Sequence, residues 1–539
     1  MKKKSFAYLF VLLLGVALFV RLYRLDLRPM HHDEANQAYK FGQLLEKGQY
    51  RYDPADHHGP TLYYFSLPFA WLSGQKTYAE LTEGTLRGVT VFFGLLILLV
   101  ILAAGRYLTF SEKFWAAVFL ALSPPLVYFN RFYIQETLFV AFGLAFVIFL
   151  WRFFQKPDYK EATWLGISAG LLYATKETSL IVLATSILAL VVVWFLSWGR
   201  SNSRKRSSHK SESKGSRKEV LAEIKKVALP LALAIFLFLA ISFVFYSSFF
   251  QHPQGFLDSF RAFSGYGQKA FDPGWHRHGF WYYFSLLFYH KGRGHSPVFS
   301  EIPFLLLALV GVVLSFARMS RKSAENFKGY LALFSLFTAL VYSAIPYKTP
   351  WNMLIFWAGF LILAGAGFVY VLELIKIRQA KIILAGALIF WAGWQAYLVN
   401  FYFHAYPGNP YVYAQTSPDF LRLVARVDEL SQVAEEGKNM FIRVIAPPEE
   451  TWPLPWYLRK YPQVGYWTSS EQVESLEPAV VVIISAAEAA RRSEKELESY
   501  ITHYYSLRPD VLMVLLIRQD LWENYRLKRI GGPSGTNGL

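Results

Sequence analysis

Two adjacent carboxylates, Asp33 and Glu34, follow two histidines, His31 and His32, directly after the first apolar run of the chain. A carboxylate held near a membrane surface can act as a general base and take a proton from a hydroxyl. The same residue types also occur as plain solvated helix ends. Further along the same segment come Asp56-His57-His58-Gly59-Pro60 and then Tyr63-Tyr64. Four more polar clusters sit between later apolar runs. They are Arg131 with Glu136, Lys176-Glu177, His276-Arg277-His278 followed by Tyr282-Tyr283, and Tyr347-Lys348-Thr349-Pro350-Trp351-Asn352. Gathered together, such groups suit one kind of chemistry. Cations hold a phosphate leaving group, a carboxylate activates an acceptor hydroxyl, and aromatic rings offer flat faces to a sugar.

The elements that must position these groups are membrane helices. The 539 residues are 54% hydrophobic and only 17% charged, whereas soluble domains carry about 25% charge. About eleven apolar segments approach the ~20 residues that a spanning helix needs: 6–22, 84–105, 114–129, 136–154, 162–175, 178–198, 227–249, 301–317, 329–346, 352–374 and 382–399. The net charge of +17 gathers in short loops (Arg106/Lys113, Arg152/Lys156/Lys160, Arg318/Lys328, Lys376/Arg378/Lys381) and in the Ser-rich stretch 199–226. Basic loops alternating with apolar runs follow the positive-inside rule and argue against a nucleic-acid partner. With Lys2 to Lys4 cytoplasmic, every basic loop falls inside. The polar clusters and the C-terminus then fall outside. The chain has no cysteine, so disulfides and thiolate metal sites are excluded.

The expected organisation is a membrane part over 1–400, with a large first outer loop at 23–81 and a disordered basic cytoplasmic linker at 199–226. A small extracytoplasmic α/β domain follows over 401–530, then a disordered tail at 531–539. In the α/β domain the pattern predicts an amphipathic helix over Ser417–Glu436 and strands at Met440–Ala446, Ala479–Ser485 and Val511–Arg518. A helix is expected over Ala486–Tyr505, with some parallel strand pairing.

These motifs, in this order, resemble the integral-membrane glycosyltransferases of the GT-C fold, in the branch of protein mannosyltransferases and aminoarabinose transferases. Within that branch the chain is similar to the group known as flippase activity-associated proteins. The resemblance covers 1–400 and extends to the segment 452–459, Trp-Pro-Leu-Pro-Trp-Tyr-Leu-Arg. It implies transfer of a sugar from a polyprenyl-phosphate donor to an acceptor hydroxyl on a lipid, glycan or protein, with inversion. By the same resemblance Asp33 is the catalytic base, and the other catalytic acids, Glu34 and Glu136, position the acceptor or the cations. Arg131, Lys176 and Lys348 meet the phosphate, and His58 stands where relatives carry a lysine. His57, Tyr63, Tyr64, Arg277, His278 and Tyr282 complete the expected substrate site. The resemblance fixes no cofactor, and no nucleotide sugar is needed. A divalent metal on His57 and His278 is a weaker alternative that the resemblance also raises. Rival readings are a transporter or flippase accessory of lipid-linked sugars, and a silent glycolipid-binding relative.

Overall fold

The computed structural model describes residues 1–56, 58–205, 217–269, 274, 276–292, 297–319 and 323–530. All eleven expected apolar segments are helical. Helix α1 is Lys3–Leu22 and is followed by two shorter helices in the first loop, α2 (His32–Lys47) and α3 (Thr61–Leu72). Next come α4 (Glu83–Val100), α5 (Phe110–Leu122), α6 (Pro124–Asn130), α7 (Glu136–Gln155), α8 (Tyr159–Tyr173), α9 (Ser179–Lys205) and α10 (Arg217–Tyr246). After α11 (Gln254–Lys269) and α12 (Tyr282–Phe288), a two-residue antiparallel pair, β1 (His290–Lys291) with β2 (Val298–Phe299), leads into α13 (Ile302–Ala317). The bundle closes with α14 (Ser323–Ala344), α15 (Leu354–Leu374) and α16 (Arg378–Tyr397). Among the described residues, eight helices are long and apolar enough to cross a membrane. The other expected segments are the shorter α5, α8 and α13. The run 114–129 breaks at Ser123, because Pro124 and Pro125 cannot donate the backbone hydrogen bonds that would continue α5.

Between apolar helices in lipid, small residues permit close approach. A Cβ on Gly311 of α13 would collide with the Leu363 carbonyl of α15, and one on Gly367 of α15 with the Leu307 carbonyl of α13. Helix α15 is accordingly the buried centre of the bundle, with every residue from Leu354 to Phe368 enclosed. Its Trp357 indole N–H donates to Ser123 Oγ at 3.0 Å, at the break between α5 and α6.

The basic loops meet at one end of the bundle. Lys328 pairs with Glu112 at 2.8 Å, and Arg152 donates to the Ala103 carbonyl at 2.8 Å. Helix α7 spans the distance from that end to the opposite one, where Glu136 opens its first turn. Of the expected linker, 199–205 belong to α9 and 217–226 to α10. Residues 206–216 and the tail 531–539 lie outside the described residues.

The C-terminal part begins with α17 (Pro418–Ser431). Its sheet is built from β3 (Ile442–Ile445), β4 (Val464–Trp467), β5 (Val481–Ser485), β6 (Tyr500–Arg508) and β7 (Val511–Arg518) in the order β4-β3-β5-β7-β6. The β3/β4 and β3/β5 pairs are parallel, while β5/β7 and β6/β7 are antiparallel. The expected helix over 486–505 is two single turns, Ala486–Ala489 and Glu494–Leu497, followed by strand β6. Serines 485 and 493 cap the two turns. The aromatic and β-branched run from Tyr500 to Tyr505 then pairs with β7, as such residues prefer. This unit docks on the first loop. Tyr457 Oη accepts the Met30 N–H at 2.8 Å, Trp456 Nε1 donates to Glu83 at 2.8 Å, and the Tyr413 carbonyl meets His31 Nε2 at 2.9 Å.

Candidate active site

The site begins at the N-terminus of α2. His31 caps the helix: its Nδ1 accepts the Asp33 N–H at 3.0 Å, and Glu34 reaches back to the His31 N–H at 3.1 Å. This capping box sends the two neighbouring carboxylates in opposite directions. Asp33 keeps 38% of its side chain exposed and faces a cavity. Glu34 has no exposure at all. It takes a bidentate ion pair from Arg87 of α4, at 2.8 and 2.7 Å, and also accepts the Tyr133 N–H at 2.9 Å. Arg87 spends its remaining donors on the Leu25 and Arg28 carbonyls. Glu34 is therefore corrected from a catalytic residue to a structural one, since its oxygens are consumed in holding α2, α4 and the Tyr133 segment together. Burial acts to raise its pKa, but Arg87 outweighs that and holds it below the ordinary carboxylate value.

This arrangement has a measurable consequence. Arg87→Met leaves the Glu34 charge buried without a partner, and a cost of about 3–5 kcal/mol is expected. Thermal melting in detergent should show it directly. The sign of the pH dependence follows from the lowered pKa. Glu34 contributes its full stabilisation above the ordinary value near 4.5 and loses it as pH falls through the folded value. The wild-type melting temperature should therefore fall on acidification from about pH 5, and the Arg87→Met protein should lose less over the same interval.

A cavity of about 530 Å³ opens beside Asp33, a size that holds a small ligand. Its walls come from α2 (His32, Asp33, Asn36, Gln37), the first-loop residues Asp56 and His58, the start of α7 (Ile134, Gln135, Glu136), the α8–α9 turn (Lys176, Glu177, Thr178) and the segment after α14 (Tyr347, Thr349, Trp351, Asn352). Lys176 donates to Glu136 at 2.5 Å and to Asn352 Oδ1 at 3.2 Å. An ammonium has three protons, so one remains for a ligand. Glu177 accepts from His58 Nδ1 at 2.7 Å and from Tyr52 Oη at 3.1 Å. Burial acts to raise the Glu177 pKa, but His58, a backbone hydrogen bond and Lys176 together hold it below the ordinary carboxylate value. Gly59 makes this contact geometrically feasible. A side chain there would strike the Ala174 carbonyl, so only glycine lets the His58 segment lie against the end of α8.

Several expected site residues stand elsewhere. Arg131 donates to the carbonyls of Val20, Arg21, Tyr23 and Arg24, and its guanidinium lies over the Phe401 ring. It satisfies the orphan carbonyls at the end of α1 and does not line the cavity. Lys348 donates to the His278 and Ile345 carbonyls and is not in the cavity wall. Tyr63 is buried against Tyr50 and donates to Gln37, while Tyr64 packs on Phe245 and Phe249. Arg277 bridges to Tyr347 in the backbone. His278 stacks on Tyr282 with ring centroids 4.0 Å apart and is not in the cavity wall, and its burial lowers its pKa. His57 lies outside the described residues. Among those described, no three His, Asp or Glu side chains are grouped to hold a metal. The residues missed at the level of sequence are Asn36, Gln37, Gln135 and Glu177. Amides carry no motif, and the sequence singles out Glu177 only as the neighbour of Lys176.

The family model of dolichyl-phosphate-mannose-protein mannosyltransferase matches residues 11–252. No curated protein matches the sequence. Among solved structures, the chain is similar to ArnT from Cupriavidus metallidurans in the apo state, at 14% identity over 95% of this chain and 98% of that one, with a TM-score of 0.62. The same protein bound to undecaprenyl phosphate matches at 15% identity over 96% and 99%, with a TM-score of 0.59. The archaeal oligosaccharyltransferase AglB from Archaeoglobus fulgidus matches at 11% identity over 100% and 79%, with a TM-score of 0.53. The chain has the GT-C fold in a multi-pass membrane protein with a C-terminal sheet. The family model and the similar solved structures are all of sugar-transferring membrane proteins.

Proposed function

We propose that the chain transfers a sugar from a polyprenyl-phosphate donor to an acceptor hydroxyl, on the face of the membrane away from the cytoplasm and with inversion at the anomeric carbon. One observation carries this reading: Asp33 and the Lys176–Glu136 pair share a single cavity at the end of the bundle opposite the basic loops. The donor phosphate sits at Lys176, with His58 on the same wall. Asp33 takes the acceptor proton as the acceptor oxygen bonds to the anomeric carbon. The bond from that carbon to the phosphate oxygen breaks, and polyprenyl phosphate leaves with its charge balanced by Lys176. The basic loops face the cytoplasm, as the positive-inside rule requires, and the C-terminal unit lies on the opposite face.

The relative solved with undecaprenyl phosphate supports a lipid-phosphate donor. The acceptor is a lipid, glycan or protein hydroxyl. The test is release of polyprenyl phosphate by purified protein from labelled polyprenyl-phosphate sugars offered with membrane extracts. Sugar transfer with stoichiometric lipid release is expected, and no release with any donor would overturn the reading.

A further inference from the structure

Two glutamines form an oriented pair in the cavity wall, and no expected site role includes them. Gln37 Oε1 accepts from Tyr63 Oη and from Gln135 Nε2, the latter at 3.0 Å. Both amides are almost wholly buried, at 7% and 1% exposure, and both line the cavity. These contacts use the Gln37 oxygen and one Gln135 N–H, and an amide–amide hydrogen bond leaves one amide with a donor and the other with an acceptor. The arrangement commits each amide to one remaining function. Gln37 Nε2 is left as a donor and Gln135 Oε1 as an acceptor, on adjacent side chains and without a protein partner among the described residues.

Their place in the cavity says what they would meet. Gln37 lies one helical turn after Asp33 on the same face of α2. Gln135 directly precedes Glu136, which anchors Lys176. The amide pair thus shares one cavity with the base and the phosphate-holding cation, where the transferred sugar must lie. A fixed donor beside a fixed acceptor, both uncharged, matches two neighbouring sugar hydroxyls, one accepting and one donating.

We infer that Gln37 and Gln135 are the sugar-reading residues of this site and select a neutral hexose that presents adjacent hydroxyls. The inference rests on the donor reading given above and adds the class of sugar. A site that hydrogen-bonds a particular hydroxyl discriminates strongly against analogues lacking it, because its own buried groups are then left unpaired.

The experiment measures binding by the full chain in detergent, with two probes: polyprenyl phosphate alone and polyprenyl-phosphate hexose. Wild-type protein should bind the sugar-bearing lipid more tightly. Gln37→Met and Gln135→Met, which nearly conserve volume, should each reduce that advantage roughly fivefold to tenfold, leaving affinity for the bare lipid phosphate unchanged. Single-deoxy hexose donors supply a readout that a purely structural role would not move. For the analogue lacking the hydroxyl that Gln37 contacts, the Gln37→Met penalty should vanish. An unchanged sugar advantage in both variants overturns the inference. Equal loss of both lipids also overturns it, because the amides would then only shape the cavity. If wild-type protein binds neither lipid, the donor reading itself fails and this inference falls with it. If wild-type protein binds polyprenyl phosphate and polyprenyl-phosphate hexose equally well, the donor reading survives and the sugar-reading role is refuted.

Discussion

Asp33→Asn is expected to lower sugar transfer about 10²–10⁴-fold, the range that a positioned general base contributes, while binding of polyprenyl phosphate persists. The fold gives reason to expect a clean result. The α2 cap uses the backbone N–H of Asp33, not its carboxylate, so asparagine preserves it. The carboxylate meets His31 Nδ1 only at 3.8 Å, and its interaction with the helix N-terminus is worth about 0.3–1 kcal/mol. The melting temperature should therefore move little. The two readouts separate the outcomes. Transfer at the wild-type rate removes Asp33 as the base. Loss of lipid binding in step with transfer assigns it to donor binding instead. Glu34→Gln makes the contrast, since it weakens the buried Arg87 pair and should lower stability.

The divergence of these neighbouring carboxylates shows what was legible in the sequence. Helix positions followed from apolar runs, because lipid forces the backbone to satisfy itself within each segment. The α2 start was visible as His-His-Asp-Glu, yet the sequence could not tell which acid turned inward. That depended on Arg87, a cation inside an apolar run and far along the chain. Arg131 misled for a related reason. Its type and place match a phosphate ligand, but the carbonyls closing α1 needed a donor and took it. Lys348 also donates to backbone carbonyls, away from the cavity wall. Lys176 escaped that fate because Glu136 and Asn352, from two other elements, hold it at the cavity. The amide pair was invisible because glutamine has no spacing rule and its meaning lies in which atom faces which. In the C-terminal unit, three strands were readable from β-rich runs. Strand β6 was obscured by the serine-capped turns that precede it.

Lys176→Met should abolish transfer and destabilise the protein, and the two effects can be pulled apart. The methionine removes the ammonium that balances the departing phosphate, and losing one such electrostatic contact costs roughly 10²–10³-fold in rate. It also leaves Glu136 buried beside an apolar side chain, at about 3–5 kcal/mol. Glu136→Gln alone keeps an oxygen for Lys176 to donate to. It should cost far less stability, and it should weaken transfer by letting the ammonium drift from the cavity. The double variant Lys176→Met with Glu136→Gln contains no unpaired charge, so it should recover most of the melting temperature lost in Lys176→Met. It should not recover transfer, because no cation faces the phosphate. A purely structural role for the pair predicts that activity returns with stability. A role in phosphate stabilisation predicts a folded protein that stays inactive, with weakened affinity for polyprenyl phosphate. Lys176→Arg refines the distinction. The guanidinium keeps the charge but is wider and planar, so partial transfer with a raised KM is expected if position as well as charge matters at this wall.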